Sequence, residues 1–320
     1  MNDRIAVEPG RYVMPVLQVL VTILWVLSAA PAAAAGCGDS GVVVQVLGSG
    51  GPVADDRRAS AGYLVWVDGH ARLLVDAGGG VFQRFGEAGA SIEDLEAVLL
   101  THLHTDHVTD LPAILKGGYF SDRRRPLPIM GPDGGGQFPS TQEFLDGLFN
   151  RERGVYRYLY GFLDGSDGLF ATPVREIPAE TRTPRLAFQG NDLRVDAVGV
   201  LHGPVPALAY RVAVGGVTVA FSGDQNDENP AFASLAEGVD LLIMAHAVPQ
   251  DAGPVAKRLH ATPEGIGRLA GEAQVGHLVL SHLMARSLRA LDDSLPRIHA
   301  RYPGRVTLAD DLMCIAVPRR

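Results

Sequence analysis

Cysteine is scarce in this chain, which has only Cys37 and Cys314 among 320 residues. A zinc site built from thiolates needs cysteines paired at short spacing, so that class of metal site is excluded. Basic residues are also in deficit, with 28 Lys and Arg against 36 Asp and Glu and a net charge of -8. General nucleic-acid binders carry a basic face, so this balance predicts that nucleic acid is not a partner. The glycine-rich residues 48–52 lack the Gly-Lys-Ser/Thr of a phosphate-binding loop, and we predict a turn there.

The composition that remains is that of a folded protein with a large core. Hydrophobic residues make up 47% and charged residues 20% of the chain, which is long enough for one large domain or two small ones. The 38 glycines and 21 prolines fit a loop-rich α/β protein, because apolar runs recur throughout. The run Arg123–Arg125 indicates a solvated basic face.

Residues 1–35 have the pattern of a secretory signal. Arg4 and Arg11 precede an apolar stretch over about 13–27, and an alanine-rich segment with Ala-x-Ala follows. The stretch is interrupted by polar residues and is shorter than the roughly 20 apolar residues of a membrane-spanning helix. We predict that the signal is removed and that residues 36–320 form a periplasmic or secreted domain, with an uncleaved anchor as the alternative.

The two cysteines leave three interpretations open. In an oxidising compartment, Cys37 and Cys314 can form a disulfide that joins the first and last strands. Alternatively, Cys37 carries a lipid that attaches the protein to a membrane, since Ala-Ala-Gly-Cys is a weak lipidation sequence. In the third interpretation they are two unrelated buried thiols.

Three of the ten histidines fall within six positions, in the segment Thr101-His102-Leu103-His104-Thr105-Asp106-His107. It directly follows the apolar run 97–100, which is typical of a buried strand. In extended backbone, residues i and i+2 point to the same side, so His102 and His104 can hold one metal ion together. Asp106 and His107 have a spacing that suits the first turn of a helix. The segment therefore predicts half of a two-metal site.

Further polar side chains follow apolar strands elsewhere in the chain. They are His202, Asp224, His246 and His282. Side chains at strand ends converge on one edge of a packed sheet, which is where α/β proteins build their sites. We predict one metal ion on His102, His104 and His202 and a second on Asp106, His107 and His282. Asp224 is predicted to bridge the two ions.

Imidazole and carboxylate ligands suit two Zn²⁺ ions, with Mn²⁺ or Fe²⁺ as alternatives. Two ions roughly 3.5–4 Å apart can hold a bridging hydroxide, which serves as the nucleophile at neutral pH. No serine nucleophile is then required, and Ser222 has no Gly-x-Ser-x-Gly sequence around it. The site predicts an exported binuclear hydrolase.

His-x-His-x-Asp-His at 102–107, His202, Ser222-Gly223-Asp224 and Leu280-Ser281-His282 together resemble the metallo-β-lactamase superfamily. The resemblance covers nearly all of residues 41–320 and implies an α/β fold, a four-layer αββα sandwich in a single domain. Within the superfamily the sequence is most similar to the ribonuclease Z and arylsulfatase branch, through Asp110-Leu111-Pro112, residues 128–132 and His260-Ala261-Thr262. That similarity implies that His260 contacts the scissile phosphate, and we predict Asp106, His246 and His260 as the catalytic residues.

The sequence departs from this branch in two respects. His246 is followed by Ala247 where the branch has glutamate, so the carboxylate partner of a proton relay is missing. No glycine-rich, basic arm for gripping tRNA is evident. We therefore expect a small-molecule ester substrate, a phosphodiester or a sulfate ester, and no nucleic acid, with a homodimer left open.

Two other classes of function remain as alternatives. A lactonase, thioesterase or β-lactamase uses the same metal ions on an acyl carbon. A non-catalytic periplasmic protein that binds zinc or another ligand would also keep these residues. A single-iron oxidoreductase is disfavoured, because it would leave the second ligand set without a purpose.

Overall fold

The structure is a computed structural model that describes residues 37–38 and 40–319. Its framework consists of two β-sheets. The predicted signal segment 1–35 lies outside the described residues. In chain order the strands are β1 (Val42–Gly48), β2 (Gly62–Val67), β3 (His70–Val75), β4 (Ala97–Leu99), β5 (Ile129–Pro132), β6 (Val174–Ile177), β7 (Arg185–Gln189), β8 (Leu193–His202), β9 (Val205–Val214), β10 (Val217–Phe221), β11 (Leu241–Ala245), β12 (His277–Ser281), β13 (Arg305–Leu308) and β14 (Cys314–Ala316). The first sheet has the order β14-β1-β2-β3-β4-β5-β6, and the second has the order β13-β12-β11-β10-β9-β8-β7.

Helices connect the strands and lie on the outer faces of both sheets. They are α1 (Val81–Glu87), α2 (Thr105–Val108), α3 (Leu111–Gly118), α4 (Thr141–Phe149), α5 (Gly161–Asp164), α6 (Pro230–Ala236), α7 (Pro254–Leu259), α8 (Pro263–Glu272), α9 (Ala285–Leu288) and α10 (Leu291–His299). None of the helices in the described part of the chain combines the length and the apolar character needed to cross a bilayer.

The core is layered because the strands are apolar on both faces. In β1, Val44 belongs to the apolar cluster between the two sheets. Leu47, on the opposite face of the same strand, belongs to the apolar cluster that includes residues of helices α1, α3 and α4. Helices α6, α8 and α10 cover the second sheet in the same way, for example through Phe232 and Ile298. Alternate side chains of a strand point to opposite faces, so each sheet is buried on both sides. The predicted αββα sandwich is therefore confirmed.

Parallel pairing places the ends of several strands at one edge of the molecule. In the first sheet β3, β4 and β5 run parallel, and in the second β10, β11, β12 and β13 do. Two tight hairpins, at Asp68-Gly69 and Gly215-Gly216, return the chain to this direction, and all four residues have positive φ. The segments that follow β3, β4, β10, β11 and β12 thus emerge at the same edge.

Cys37 and Cys314 form a disulfide across 277 residues of sequence, next to the antiparallel pair of β1 and β14. The disulfide interpretation of the two cysteines therefore agrees with the structure. A sulfur atom bonded in a disulfide cannot also carry a thioether-linked lipid. Membrane attachment through a lipid on Cys37 is accordingly wrong for this structure.

Candidate metal centre

The seven predicted ligands lie together at this edge, and each comes from the end of a strand or the segment after it. His102 and His104 follow β4, and Asp106 and His107 lie in the single turn of α2. His202 is the last residue of β8, while Asp224 and His282 follow β10 and β12. All of these side chains except His104 are buried.

His102, His104 and His202 form the first group that could hold a metal ion. Each offers one ring nitrogen, and these three atoms lie within 4.8 Å of one another. Nε2 of His202 is 3.4 Å from Nδ1 of His104. The three rings surround a space of the size that one tetrahedral ion occupies.

Asp106, His107 and His282 form the second group. Nε2 of His282 lies 3.1 Å from Oδ2 of Asp106, and Nε2 of His107 lies 3.6 Å from the same oxygen. All three side chains are buried, so the group is shielded from bulk water.

Asp224 lies between the two groups. Its Oδ1 is 3.7 Å from Nε2 of His107, and its Oδ2 is 3.2 Å from Nε2 of His282 and 3.8 Å from Nε2 of His202. This is the arrangement expected of a carboxylate that bridges two ions. The role of these seven residues as ligands stays a prediction, but the structure brings all of them together.

Charge in the site is set by burial and by the neighbouring side chains. Burial alone would raise the pKa of Asp224, but His282 and His107 hold that pKa well below its ordinary value. Burial, reinforced by the nearby His107, lowers the pKa of His102 well below its ordinary value. A deprotonated carboxylate beside a neutral imidazole is the state in which both can act as metal ligands.

The residues present fit divalent cations. Among the described residues, His102 Nε2, His107 Nε2 and Asp224 Oδ1 are buried and have no hydrogen-bond partner. Buried polar atoms are nearly always paired, so three unpaired ligand atoms at one place need an explanation. Imidazole and carboxylate donors at this spacing are a donor set for zinc or a similar ion.

Asp76 is a supporting residue that the sequence analysis missed. It follows β3 and is 1% exposed. Its carboxylate accepts hydrogen bonds from the backbone N–H of Thr101 at 2.7 Å and from the Thr101 hydroxyl at 2.8 Å, and it lies 2.8 Å from Nδ1 of His107. The contact fixes a proton on Nδ1 of His107 and leaves Nε2 free to bind a metal ion. The signal that identifies it in the sequence is a carboxylate directly after an apolar strand.

The carbonyl oxygen of Leu259 orients the ring of His202 in the same way as Asp76 orients His107. It lies 2.7 Å from Nδ1 of His202. Gly51, in the predicted turn at 48–52, packs on His282. A Cβ at position 51 would lie 2.6 Å from Cε1 of the His282 ring, so only glycine leaves room for this histidine. Neither contact has a recognisable sequence pattern.

The two remaining predicted catalytic histidines differ in position. His260 lies at the end of α7, 8% exposed, with Nδ1 3.7 Å from Oδ2 of Asp224, so it belongs to the site. Burial lowers the pKa of His260 to about 3. His246 is fully buried and both ring nitrogens lack a hydrogen-bond partner, yet it joins none of the ligand groups found in the described residues.

Comparisons with known proteins agree with the observed fold. The family described as the Beta-lactamase superfamily domain matches residues 71–283. Ribonuclease Z of Mycolicibacterium paratuberculosis is 32% identical over 288 residues, which cover 86% of this chain and 98% of that protein. Among solved structures, human tRNase Z, short form, has a TM-score of 0.65 at 22% identity, covering 86% of this chain and 99% of its own. A metallo-β-lactamase fold protein, YhfI from Bacillus subtilis, has a TM-score of 0.63 at 24% identity, with coverages of 86% and 99%.

These relatives correct one expectation from the sequence. Several of the similar proteins are ribonucleases, whose substrates are nucleic acids, so the expectation of a small-molecule ester and no nucleic acid is wrong. The physical reason is that a net charge of -8 sums over the whole surface. It says nothing about the one edge where a phosphodiester would meet a pair of cations.

Proposed function

This chain belongs to the metallo-β-lactamase superfamily as a relative of ribonuclease Z, and on that premise we propose that it is a binuclear metal-dependent phosphodiesterase that cleaves RNA. The observation that carries the proposal is the pair of ligand groups that share Asp224. Two-metal sites of this kind serve hydrolysis of phosphate esters, because they hold the attacking and leaving oxygens in line.

His102, His104 and His202 would hold one ion, Asp106, His107 and His282 the other, and Asp224 both. When bound, two zinc ions would lower the pKa of a water molecule to about 7 and offset negative charge on the phosphate. The chain supplies a rigid cradle for them. His107 is fixed by Asp76 and His202 by the Leu259 carbonyl, so neither ring has to be ordered during the reaction.

His260 is the residue that we assign to the substrate. Since burial lowers its pKa to about 3, it is a neutral imidazole at neutral pH, with one N–H to donate and one nitrogen that accepts. Its position beside Asp224 allows the N–H to donate a hydrogen bond to a phosphate oxygen. His246 has no carboxylate neighbour to orient it, because position 247 is alanine. We therefore assign no proton transfer to His246, and the role that we assign to His260 is a hydrogen bond to the phosphate.

The test is hydrolysis by the purified, zinc-loaded protein of a fluorescent RNA oligonucleotide and of bis(p-nitrophenyl) phosphate. A cephalosporin, a lactone and p-nitrophenyl sulfate are the comparison substrates. We expect cleavage of both phosphodiesters, loss of activity with a chelator and recovery with zinc. Hydrolysis of an acyl or sulfate ester with both phosphodiesters left intact would refute the proposal.

A matched pair of variants ties the activity to the site. His282→Gln should lower activity on both phosphodiesters at least 100-fold and reduce the metal content, because it removes one of the four ligands that we assign to an ion. His299→Gln is the control, since His299 is exposed on α10, outside the ligand groups found in the described residues. Equal activities of the two variants would remove the second ion from the proposal.

We propose further that the protein is exported and works in an oxidising compartment. The Cys37–Cys314 disulfide supports this, because disulfides persist outside the reducing cytosol. The signal-like pattern of residues 1–35 is the second support. Cell fractionation combined with thiol labelling tests it: protein found in the cytosolic fraction with two free thiols would refute export.

A further inference from the structure

A pocket of about 360 Å³ opens beside His260. Helix α7 supplies an apolar wall through Val255 and Leu259, and Arg286 at the start of α9 closes the other side. The His260 ring lines this pocket, and its Nδ1 lies 3.7 Å from Oδ2 of Asp224, so the pocket adjoins the metal centre through His260. Its volume is at the lower end of small-molecule sites, which suits one nucleoside and not a duplex.

Arg286 is held in place without being neutralised. Its Nε donates a hydrogen bond to the main-chain carbonyl of Ala247 at 2.8 Å. No carboxylate of the described residues lies within 4.0 Å of it, whereas Arg268 pairs with Asp227 and Arg297 pairs with Asp293. The terminal amino groups of its guanidinium are therefore available to an anion that enters the pocket.

We propose that this pocket binds the nucleotide next to the scissile bond. The guanidinium of Arg286 donates to the phosphate of that nucleotide, and Val255 and Leu259 pack against its sugar or base. This inference depends on the proposed function, since it names the part of an RNA substrate that lies beside the metal centre.

The chemistry of the pocket supports a nucleotide over other anions. A planar guanidinium matches two phosphate oxygens at once, which a lysine would not do. Val255 is 63% exposed, so its side chain is accessible to an apolar part of a ligand in the pocket. A base or ribose linked to a phosphate is a ligand that satisfies the cation and the apolar wall together.

The experiment compares Arg286→Gln with Arg289→Gln in the zinc-loaded protein. Arg289 is an exposed arginine three residues further on, at the end of α9, and serves as the charge-matched control. Arg286→Gln should raise KM for the RNA oligonucleotide about 10- to 100-fold, because it removes a charge-assisted contact to phosphate. It should leave kcat/KM for bis(p-nitrophenyl) phosphate within about twofold and the metal content unchanged, and Arg286→Lys should recover part of the affinity.

The salt dependence of KM distinguishes a phosphate contact of Arg286 from a purely structural role, which would leave that dependence unchanged. The slope of log KM against log salt should fall by about 0.7 in Arg286→Gln, the contribution of one phosphate contact on a single strand. Equal KM values for the two glutamine variants, or equal losses on both substrates, would overturn the inference.

Failure of the proposed function is distinguishable from failure of the pocket. If the wild-type protein hydrolyses neither phosphodiester, the proposed function fails, and the pocket is then judged by binding of the labelled oligonucleotide in fluorescence anisotropy. Binding that Arg286→Gln weakens and Arg289→Gln does not would support the pocket. Binding that is absent, or that the two variants affect equally, would overturn it.

Discussion

Asp76 offers the sharpest test of how the fold prepares this site. Replacing it by asparagine keeps the shape of the side chain and changes only what it can accept. The carboxylate now serves three partners: the backbone N–H and the hydroxyl of Thr101, and Nδ1 of His107. An asparagine has one oxygen for those partners and presents an NH₂ group to the remainder. If that NH₂ group faces Nδ1 of His107, it favours the tautomer of His107 that carries its proton on Nε2. A protonated Nε2 has no lone pair left to bind a metal ion.

The magnitude follows from this change at one ligand. Loss of a buried carboxylate partner behind a metal-binding histidine typically weakens metal affinity 10- to 100-fold, about 1.4–2.7 kcal/mol. We expect the loss at the ion held by Asp106, His107 and His282, and a smaller change at the ion held by His102, His104 and His202. Zinc titration against a chromogenic chelator would resolve the two affinities, and activity at limiting zinc should fall in parallel.

Asp68→Asn is a closely matched control. Both aspartates have positive φ, 57° at Asp76 and 49° at Asp68, so the exchange for asparagine alters the backbone preference little in either case. Asp68 lies in the exposed β2–β3 turn, and in the described structure its carboxylate accepts a hydrogen bond only from the N–H of Gly41. If Asp76→Asn bound both ions as tightly as Asp68→Asn, the carboxylate would not be what prepares His107, and our account of the site would fail.

Three other predictions concern the ring packing, the pH dependence and the disulfide. Gly51→Ala should lower zinc affinity and activity at least tenfold, because the added Cβ would displace the His282 ring. The control is Gly86→Ala, whose added Cβ would meet no atom within 4 Å. Normal zinc binding by Gly51→Ala would contradict the contact. His277 is 8% exposed, and burial lowers its pKa to about 4, below its unfolded value. Its contribution to stability is thus complete above about pH 6.5 and is lost as the pH falls toward 4, by at most about 3 kcal/mol. Urea unfolding of the wild type and of His277→Gln should show that the difference between their free energies of unfolding shrinks over that pH range. A difference that stays constant would refute the prediction. Cys314→Ser should lower the free energy of unfolding by about 2–5 kcal/mol, measured against the oxidised wild type, while a reductant should have no further effect on the variant.

The sequence was informative where a local pattern carries the geometry. His102 and His104 follow an apolar run, and strand periodicity alone places them side by side, as the structure does. Helix α4 begins directly after Ser140, because Ser140 and Glu143 form a capping box whose residues are recognisable in the sequence. These features depend on residues within a few positions of one another.

Contacts made through space or through the main chain could not be predicted in this way. Arg123 was predicted on a solvated face, but it is 3% exposed and donates hydrogen bonds to the carbonyls of Ile92, Leu95 and Pro126. Burial lowers its pKa to about 10. Carbonyl oxygens are present at every residue, so no sequence pattern marks the ones that will surround a buried guanidinium. The Leu259 carbonyl behind His202 is hidden for the same reason.

The distribution of ligands between the two sheets connects metal binding to folding. His102 and His104 come from the first sheet and His202 from the second, while Asp106 and His107 come from the first and His282 from the second. Each ion would therefore be held by side chains from both halves of the sandwich. The unfolded chain keeps neither group together, so the free energy of binding each ion is added to that of packing the sheets, about 2.7 kcal/mol at a concentration 100 times Kd. Asp76 orients His107 within the first sheet, so less of that free energy is lost in ordering this ring when the ion binds.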